Sequence, residues 1–221
     1  MTRQGSNDSR SAAPVPPPEP WSHNVHYHRV ILNAVPPGCQ RALDVGCGQG
    51  ALTRALAQVV PQVTGIDRDR RSIEIARAHP GGAGVGYVLG DFLAGAFRPG
   101  SLDLVTAVAS QHHMDAGTAF RKMSDLLRPG GVLAVIGLAR GLTPADLYLQ
   151  VPAIIGHRVR QAASDRRRIP DQPDSGYTSP IVWPPPLTYP ATRRAAVRVL
   201  PGARYRRRLY WRYSLVWTKP A

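Results

Sequence analysis

Residues 44–50, Asp-Val-Gly-Cys-Gly-Gln-Gly, carry the strongest structural signal in the chain. The acid lies near the end of a short apolar run, and three glycines at alternate positions lead into a helix-forming run that begins at Ala51. Glycine turns the backbone sharply and lets a ligand approach closer than a Cβ would permit. The motif therefore predicts a strand, a glycine-rich turn and a helix, with a ligand at the turn.

Short apolar runs alternate with helix-length segments on both sides of this loop, as is typical of βαβ units and a parallel sheet. The predicted strands cover 41–45, 62–67, 84–89, 102–107 and 132–138, and the predicted helices cover 51–59, 71–78 and 116–127. The segment 205–217 is rich in Tyr, Trp, Val and Arg, which favours two closing strands that lie antiparallel at the sheet edge. The fold class is therefore α/β.

A second carboxylate points to a nucleoside ligand. Asp67 ends the second predicted strand, seventeen residues beyond Gly50, where a carboxylate can accept both hydroxyls of a ribose. The dinucleotide fingerprint G-x-G-x-x-G is not met, because Thr53 stands at its last position. The loop thus favours a nucleoside without a pyrophosphate over NAD or FAD.

Asp44 and the G-x-G-x-G loop resemble motif I of the class I S-adenosylmethionine-dependent methyltransferases. The resemblance continues in order with Asp67, with Gly90-Asp91-Phe92 after strand three, and with residues 127–131, Leu-Arg-Pro-Gly-Gly, before strand five. It covers roughly residues 23–140. It implies a Rossmann-like, doubly wound, seven-stranded sheet that is mostly parallel, with antiparallel C-terminal strands and helices on both faces.

The resemblance also implies roles for the residues that border the methionine half of S-adenosylmethionine. Asp44 would meet its amino group, directly or through water, and the backbone around Ala109 and Ser110, just after strand four, would border the sulfonium. The glycine loop would pass beneath the cofactor through Gly46, Cys47, Gly48 and Gly50. Read singly, Asp44 could instead cap the glycine turn.

At the nucleoside end the resemblance implies a second set of contacts. Asp67 would hold the ribose hydroxyls, and Arg68 would lie along the adenine. Asp91 would accept from the adenine amine, with the Phe92 amide nearby. Asp67 could also be read as a helix N-cap, and Asp91-Phe92 as an ordinary loop.

Two histidines are candidate catalytic residues. His112 and His113 follow strand four, at the edge where an α/β fold places its substrate. In-line transfer of a methyl group needs proximity above all, and a hydroxyl or protonated amine also needs a base. One of the two histidines could be that base, or both could shape the loop or cap the following helix.

Another aromatic and imidazole cluster precedes the first strand. It consists of Trp21, His23, His26, Tyr27 and His28. The resemblance implies a lid over the cofactor, closed by Tyr27 or His28. No carboxylate accompanies these histidines, and we expect no metal.

The chain divides into four segments. Residues 1–20 are Ser- and Pro-rich and predict a disordered tail. Residues 21–140 form the cofactor-binding core with its lid, and 141–190 form an inserted substrate cover, with a helix over 143–163 and a loop over 164–186. Residues 191–221 add a helix, over 190–200, and the closing strands. Without a signal peptide or an apolar run of about 18 residues, we expect a cytoplasmic protein that does not insert into membranes.

The net charge is +14, and the excess lies towards the C-terminus. Residues 152–221 hold 14 Lys and Arg against 3 Asp and Glu, and 26 of the 28 basic residues are arginines. This bias fits either genome composition or an anionic partner. The motif resemblance, rather than the charge, implies a methyltransferase acting on a small-molecule acceptor, through O, N or C, and two alternatives stay open. One is an RNA methyltransferase that uses the C-terminal arginines, and the other is a cofactor-binding protein without methyl transfer. The sequence leaves monomer and homodimer open.

Overall fold

The computed structural model describes residues 23–79, 81–141 and 184–221. Seven strands form one sheet in the order β3-β2-β1-β4-β5-β7-β6. Strands β1 to β5 are parallel to one another, and β7 runs antiparallel to both β5 and β6. The predicted Rossmann-like sheet with antiparallel C-terminal strands is confirmed.

The strand bounds are as follows: β1 Arg41–Val45, β2 Gln62–Asp67, β3 Val85–Leu89, β4 Leu102–Val108, β5 Leu127–Leu138, β6 Arg204–Arg207 and β7 Arg212–Thr218. The α-helices are α1 His23–Leu32, α2 Ala51–Leu56, α3 Arg70–Ala78, α4 Ala116–Leu126 and α5 Tyr189–Val199, and a 3₁₀ turn covers Gln111–His113. Asp69, Asp115 and Thr188 cap α3, α4 and α5 with side-chain oxygens that accept main-chain N–H bonds.

Two predicted bounds are wrong by more than one residue, each for a physical reason. Strand β5 begins at Leu127 instead of residue 132, because Leu127 pairs with Leu102 of β4. Main-chain bonds from Gly130 N to Lys219 O and from Lys219 N to Gly131 O hold the same stretch on its other side. Helix α2 ends at Leu56 instead of residue 59. Pro61 disfavours helical backbone at the residue before it, so the chain turns before β2 begins.

Several predicted features lie outside the described residues. They are the tail 1–20, Trp21, the helix over 143–163 and most of the loop over 164–186. Among the described residues, no helix combines the length and the apolar character that a membrane span needs.

Apolar side chains cover both faces of the sheet. One cluster packs α4 and α5 against the sheet around Phe120, Leu133 and Tyr213, and the other packs α1 and α2 around Ile31, Leu56 and Leu104. Burying apolar area at about 25 cal/mol per Å² stabilises this three-layer arrangement. Because β1, β2 and β4 are parallel, the loops that follow them meet at one edge of the sheet. This edge lies beside the point where the strand order reverses between β1 and β4.

Candidate functional site

A cavity of about 530 Å³ opens at the carboxyl edge of the parallel strands. The ends of β1, β2 and β4 and the loop after β3 form its walls. Ten of the predicted site residues line it: Asp44, Gly46, Cys47, Gly48, Asp67, Arg68, Asp91, Phe92, Ala109 and His113. Gly50 and His112 do not.

The glycine loop is held by left-handed backbone. Gly46, Gly48 and Gly50 have φ values of 71°, 53° and 84°, which a side chain would disfavour. A Cβ on Gly46 would overlap Ser110, and one on Gly50 would overlap the ring of Tyr87. On Gly48 it would meet nothing within 4 Å, so the backbone there borders open space. Close packing thus requires two of the glycines, and the third leaves room at the cavity wall.

Asp44 lies beneath this loop and is only 1% exposed. Its Oδ2 accepts from Thr53 Oγ1 at 2.8 Å, and its Oδ1 accepts from Thr106 Oγ1 at 3.0 Å. Burial raises the pKa of the Asp44 carboxyl to about 6, against the opposing effect of the two threonine hydroxyls. Asp44 is therefore mainly a carboxylate at neutral pH, placed to attract a cation at the cavity wall.

Asp67 joins the second strand to the glycine loop. Its Oδ2 accepts from Gly48 N at 2.8 Å, and its Oδ1 accepts from Asp69 N at 2.9 Å. Each carboxylate oxygen has a further lone pair for a donor from the cavity. The main-chain bonds fix the orientation of the carboxylate before a ligand arrives.

The loop after β3 is folded tightly on itself. Asp91 Oδ1 accepts from Leu93 N at 2.7 Å, and Asp91 O accepts from Gly95 N at 2.8 Å. The Phe92 side chain is buried in the core cluster, and Asp91 is exposed at the mouth of the cavity. This part of the wall pairs an apolar surface with one carboxylate.

The two histidines after β4 differ in position. His113 lines the cavity, whereas His112 is buried behind it, and their ring centroids are 4.2 Å apart. The pKa of His112 is lowered to about 4, mainly by burial and to a lesser extent by His113 and Arg212. The pKa of His113 is lowered by burial and by Arg68, with Asp67 opposing. Both imidazoles are therefore neutral at pH 7, and His113 is the one that can reach a ligand.

The two residues that were predicted to close the lid, Tyr27 and His28, lie in different surroundings. His28 lines the cavity. Tyr27 is buried in the core cluster on the α1 side, where its hydroxyl donates to Leu209 O at 3.2 Å. Among the described side chains of α1, His28 thus borders the cavity, whereas Tyr27 packs the helix against the core.

Sequence reasoning missed three residues that shape the site. Thr53 and Thr106 fix Asp44, and Lys122 holds the loop after β3 through main-chain carbonyls. Ser110, which was expected beside the sulfonium, lines the cavity, and its Oγ donates to Val45 O at 2.5 Å. Signals for two of them exist in the sequence. Thr106 is a polar residue in the apolar run of β4, and Lys122 is one of only two lysines in an arginine-rich chain.

Comparison with known proteins shows which protein family shares this architecture. A family model described as a methyltransferase domain matches residues 43–135. An uncharacterized methyltransferase from Mycobacterium tuberculosis (strain H37Rv) is 33% identical over 208 residues, which are 91% of this chain and 98% of the relative. The chain belongs to the class I S-adenosylmethionine-dependent methyltransferases.

Further relatives cover less of the sequence or show the fold alone. A ubiquinone biosynthesis O-methyltransferase from Xanthomonas euvesicatoria pv. vesicatoria (strain 85-10) is 40% identical over 116 residues, covering 50% of this chain and 47% of the relative. In a solved complex between the Haloferax volcanii Trm112 methyltransferase activator and a methyltransferase, the matched chain superposes with a TM-score of 0.54 at 18% identity. The match covers 89% of this chain and 91% of that one. It shows that the shared fold extends well beyond the cofactor-binding half.

The residues of this methyltransferase fit the cofactor that its family uses. Gly48 leaves open space where a side chain would otherwise stand, and Asp67 faces the same cavity with both oxygens already oriented. The buried Asp44 carboxylate supplies negative charge beside that loop. An open backbone cradle and two fixed carboxylates suit an aminoacyl nucleoside.

Proposed function

We propose that this methyltransferase binds S-adenosylmethionine in the cavity at the carboxyl edge and methylates a small-molecule acceptor. The observation that carries the proposal is the convergence of Asp44, Asp67 and His113 on one cavity. When bound, the cofactor supplies an electrophilic methyl group. Asp44 would hold its amino group, Asp67 its ribose hydroxyls and Asp91 its adenine amine, while Gly46 and Gly48 give the backbone close approach.

The acceptor side is assigned to the loop after β4. Ala109, Ser110, His113 and Met114 border the cavity on that side, and His28 adds a second imidazole from α1. His113 is the proposed general base for a hydroxyl or amine acceptor, because its ring is neutral at pH 7 and borders the cavity. His112 supports the His113 ring from behind through their close contact.

A small acceptor is favoured by the relatives and by the cavity. The ubiquinone biosynthesis O-methyltransferases that share the cofactor-binding half act in the synthesis of a small molecule, as their name states. The cavity is bordered on the acceptor side by Val108 and Met114, which are apolar. An apolar acceptor with one ionisable oxygen or nitrogen fits this surface.

A turnover assay tests this function. The purified full chain is incubated with S-adenosylmethionine and panels of phenols, carboxylic acids and amines, and release of S-adenosylhomocysteine is measured. We expect acceptor-dependent release with at least one small-molecule class, and a strong reduction of that release in Asp67→Ala when the cofactor is below saturation. Turnover only with RNA would replace the acceptor class, and cofactor binding without turnover on any panel would favour a protein that does not transfer methyl groups.

RNA is the second candidate acceptor, and one observation favours it. Residues 184–221 contain nine Lys and Arg and no Asp or Glu. Six of these side chains are exposed on α5 and the edge strand β6: Arg193, Arg194, Arg198, Arg204, Arg206 and Arg207. Arginine clusters of this kind bind phosphates with a strong dependence on salt. An Arg193→Glu, Arg194→Glu, Arg198→Glu variant that lost turnover on total RNA and kept turnover on small acceptors would establish this second function.

A further inference from the structure

Lys122 lies on α4, on the side of the loop after β3 that faces away from the cavity. Its ammonium donates to Leu93 O at 2.8 Å and to Gly95 O at 2.7 Å. The same ammonium lies 5.4 Å from the ring centroid of Phe92 and 6.0 Å from that of Phe97. One side chain therefore contacts four residues of a single short loop.

This loop forms one wall of the cavity. Asp91, Phe92 and Leu93 line the cavity, and Lys122 does not. Residues 91–97 of this loop contain no helix or strand, and their internal bonds are the two that Asp91 accepts from Leu93 N and Gly95 N. The main-chain bonds that tie the loop to the end of α4 come later, from Gly100 N and Ser101 N. The Lys122 ammonium is therefore the polar link between residues 91–97 and α4.

An ammonium suits these two carbonyls better than a guanidinium would. An ammonium presents three donors from one compact atom and can bond two converging carbonyls while it lies against two aromatic rings. The planar guanidinium spreads its donors over a wider fork. The chain uses arginine for 26 of its 28 basic residues, and Lys122 stands where the carbonyls converge on a single point.

We propose that Lys122 is a positioning residue for the nucleoside end of the cofactor site. It acts through the loop 91–97, by holding the Asp91 carboxylate and the Phe92 amide where they meet the adenine. The inference rests on the proposed binding of S-adenosylmethionine in the cavity and extends it to a residue that does not touch the ligand. Without the ammonium, the loop loses its polar link to α4 and samples other positions.

Lys219 provides a matched control. It is the other lysine of the chain, and it also donates to two main-chain carbonyls, Ser124 O at 3.0 Å and Leu127 O at 2.7 Å. Those carbonyls lie at the end of α4 and the start of β5, away from the cavity lining. Lys219→Met removes the same kind of interaction at a place that does not border the cavity, so the affinity for the cofactor should not change.

The test compares wild type, Lys122→Met, Lys122→Arg and Lys219→Met by titration calorimetry with S-adenosylhomocysteine and with its deaminated analogue S-inosylhomocysteine. We expect Lys122→Met to bind S-adenosylhomocysteine roughly tenfold more weakly and to lose most of the preference for the amino form, as the charged hydrogen bonds vanish. Lys122→Arg should fall between, and Lys219→Met should keep the wild-type affinity and preference. An equal loss in both Met variants would assign the effect to general stability and overturn the proposal.

A second readout is independent of the cofactor. Hydrogen exchange followed by mass spectrometry on the unliganded variants should show faster exchange in 91–97 for Lys122→Met, and an unchanged rate there for Lys219→Met. Wild-type exchange rates in Lys122→Met would overturn the anchoring role. If wild type binds no S-adenosylhomocysteine while the exchange difference is present, the proposed cofactor site fails and the anchoring of the loop stands. Should Lys122→Met fold poorly, Lys122→Arg carries both measurements.

Discussion

The loop after β1 and the loop after β4 border the same cavity but are built differently. Gly46 and Gly48 give the first loop positive φ values that glycine adopts without strain. In the second loop Ala109 has a φ of 53°, although it carries a Cβ. Its amide donates to Ile136 O at 2.7 Å, and the next residue, Ser110, donates to Val45 O. Contacts with other strands hold both loops, since Gly46 N and Cys47 N donate to Ile66 O. Glycine lets the cofactor loop turn without strain, whereas in the acceptor loop such contacts keep an alanine in left-handed backbone.

This difference separates what each loop can do. The glycine loop is preorganised by its own residues and by Asp67, so it can bind a constant ligand. The loop after β4 depends on strands β1 and β5, and Tyr213 of β7 also donates to Gln111 Oε1 at 2.7 Å. Non-glycine residues in strained backbone are found where function requires a fixed position. The acceptor loop is thus the part of the site that tertiary structure defines.

The largest expected effect concerns the two histidines of the acceptor loop. His113→Gln should lower kcat at saturating cofactor by about 100-fold or more for a hydroxyl or amine acceptor, since a base is lost. His112→Gln should lower kcat by less than about tenfold, because His112 does not line the cavity. The pKa of His113 is lowered from its usual value of 6.5, so its imidazole stays neutral at more acidic pH. The acid limb of the wild-type profile of kcat against pH should therefore lie below pH 6.5. Equal losses in the two variants would remove the distinction between them.

In the glycine loop, the largest expected effect is at Gly46. Gly46→Ala adds a Cβ that overlaps Ser110 on left-handed backbone, so we expect a loss of about 3 kcal/mol in the free energy of unfolding. Urea denaturation followed by circular dichroism measures it. Combining Gly46→Ala with Ser110→Gly should recover part of the loss, because the overlap involves the Ser110 side chain. A double variant no more stable than Gly46→Ala would show that the two loops are not in contact here.

The pH dependence of cofactor binding tests Asp44. Burial raises the pKa of Asp44 from 3.8 to about 6, so its carboxylate becomes protonated as pH falls through 6. A cationic amino group on the ligand prefers the carboxylate, and affinity for S-adenosylhomocysteine should therefore fall below pH 6, by up to about tenfold per pH unit. Asp44→Asn should flatten this dependence. A wild-type affinity that stayed constant from pH 7.5 to 5 would separate Asp44 from the ligand.

The same carboxyl makes a prediction for stability. Because the folded pKa lies above the unfolded value, the folded chain binds the proton more tightly between pH 3.8 and 6. The contribution of Asp44 to the free energy of unfolding is therefore larger on the acid side of this window and falls as pH rises through it. A difference in the pH slope of stability between wild type and Asp44→Asn, measured by denaturation from pH 4 to 7, is the expected outcome.

The smallest expected effect is at Gly48. Gly48→Ala adds a Cβ that meets no neighbour, so only the positive φ opposes it, at about 1 kcal/mol of stability. The added methyl lies at the cavity wall and should weaken binding of S-adenosylhomocysteine more than it weakens folding. The pair Gly46→Ala and Gly48→Ala thus separates packing from ligand approach, and equal stability losses would contradict that separation.

Much of the fold could be predicted from the sequence because its signals are local. The alternation of apolar strands with helices, the glycines before Ala51 and the acids at strand ends lie within short windows, and the strands β1 and β2 match their predicted bounds. The start of β5 at Leu127 could not be predicted in this way, because it depends on pairing with Leu102 of β4 and on main-chain bonds between Gly130–Gly131 and Lys219, which are distant in the chain.

The candidate site could be predicted to a similar degree and for the same reason. Asp67 and the glycine loop were found, because glycines and carboxylates that follow successive strand ends in this order are typical of a nucleoside site. Neither the burial of His112 behind His113 nor the burial of Tyr27 in the core could be predicted, since neighbouring residues in a loop or helix separate only when the fold sets their directions. The Lys122 contacts with the loop after β3 likewise join segments that are far apart in sequence.

Calorimetric titration with S-adenosylhomocysteine, for wild type and Asp67→Ala and with NAD as a control ligand, tests the assignment of the cavity most directly. We predict binding of the nucleoside and none of NAD, with the dissociation constant raised roughly 10- to 100-fold in Asp67→Ala, because two charge-assisted hydrogen bonds to the ribose are lost. Wild-type affinity in Asp67→Ala would contradict the placement of the ribose at the end of β2. Absence of binding to wild type would contradict the cofactor site itself.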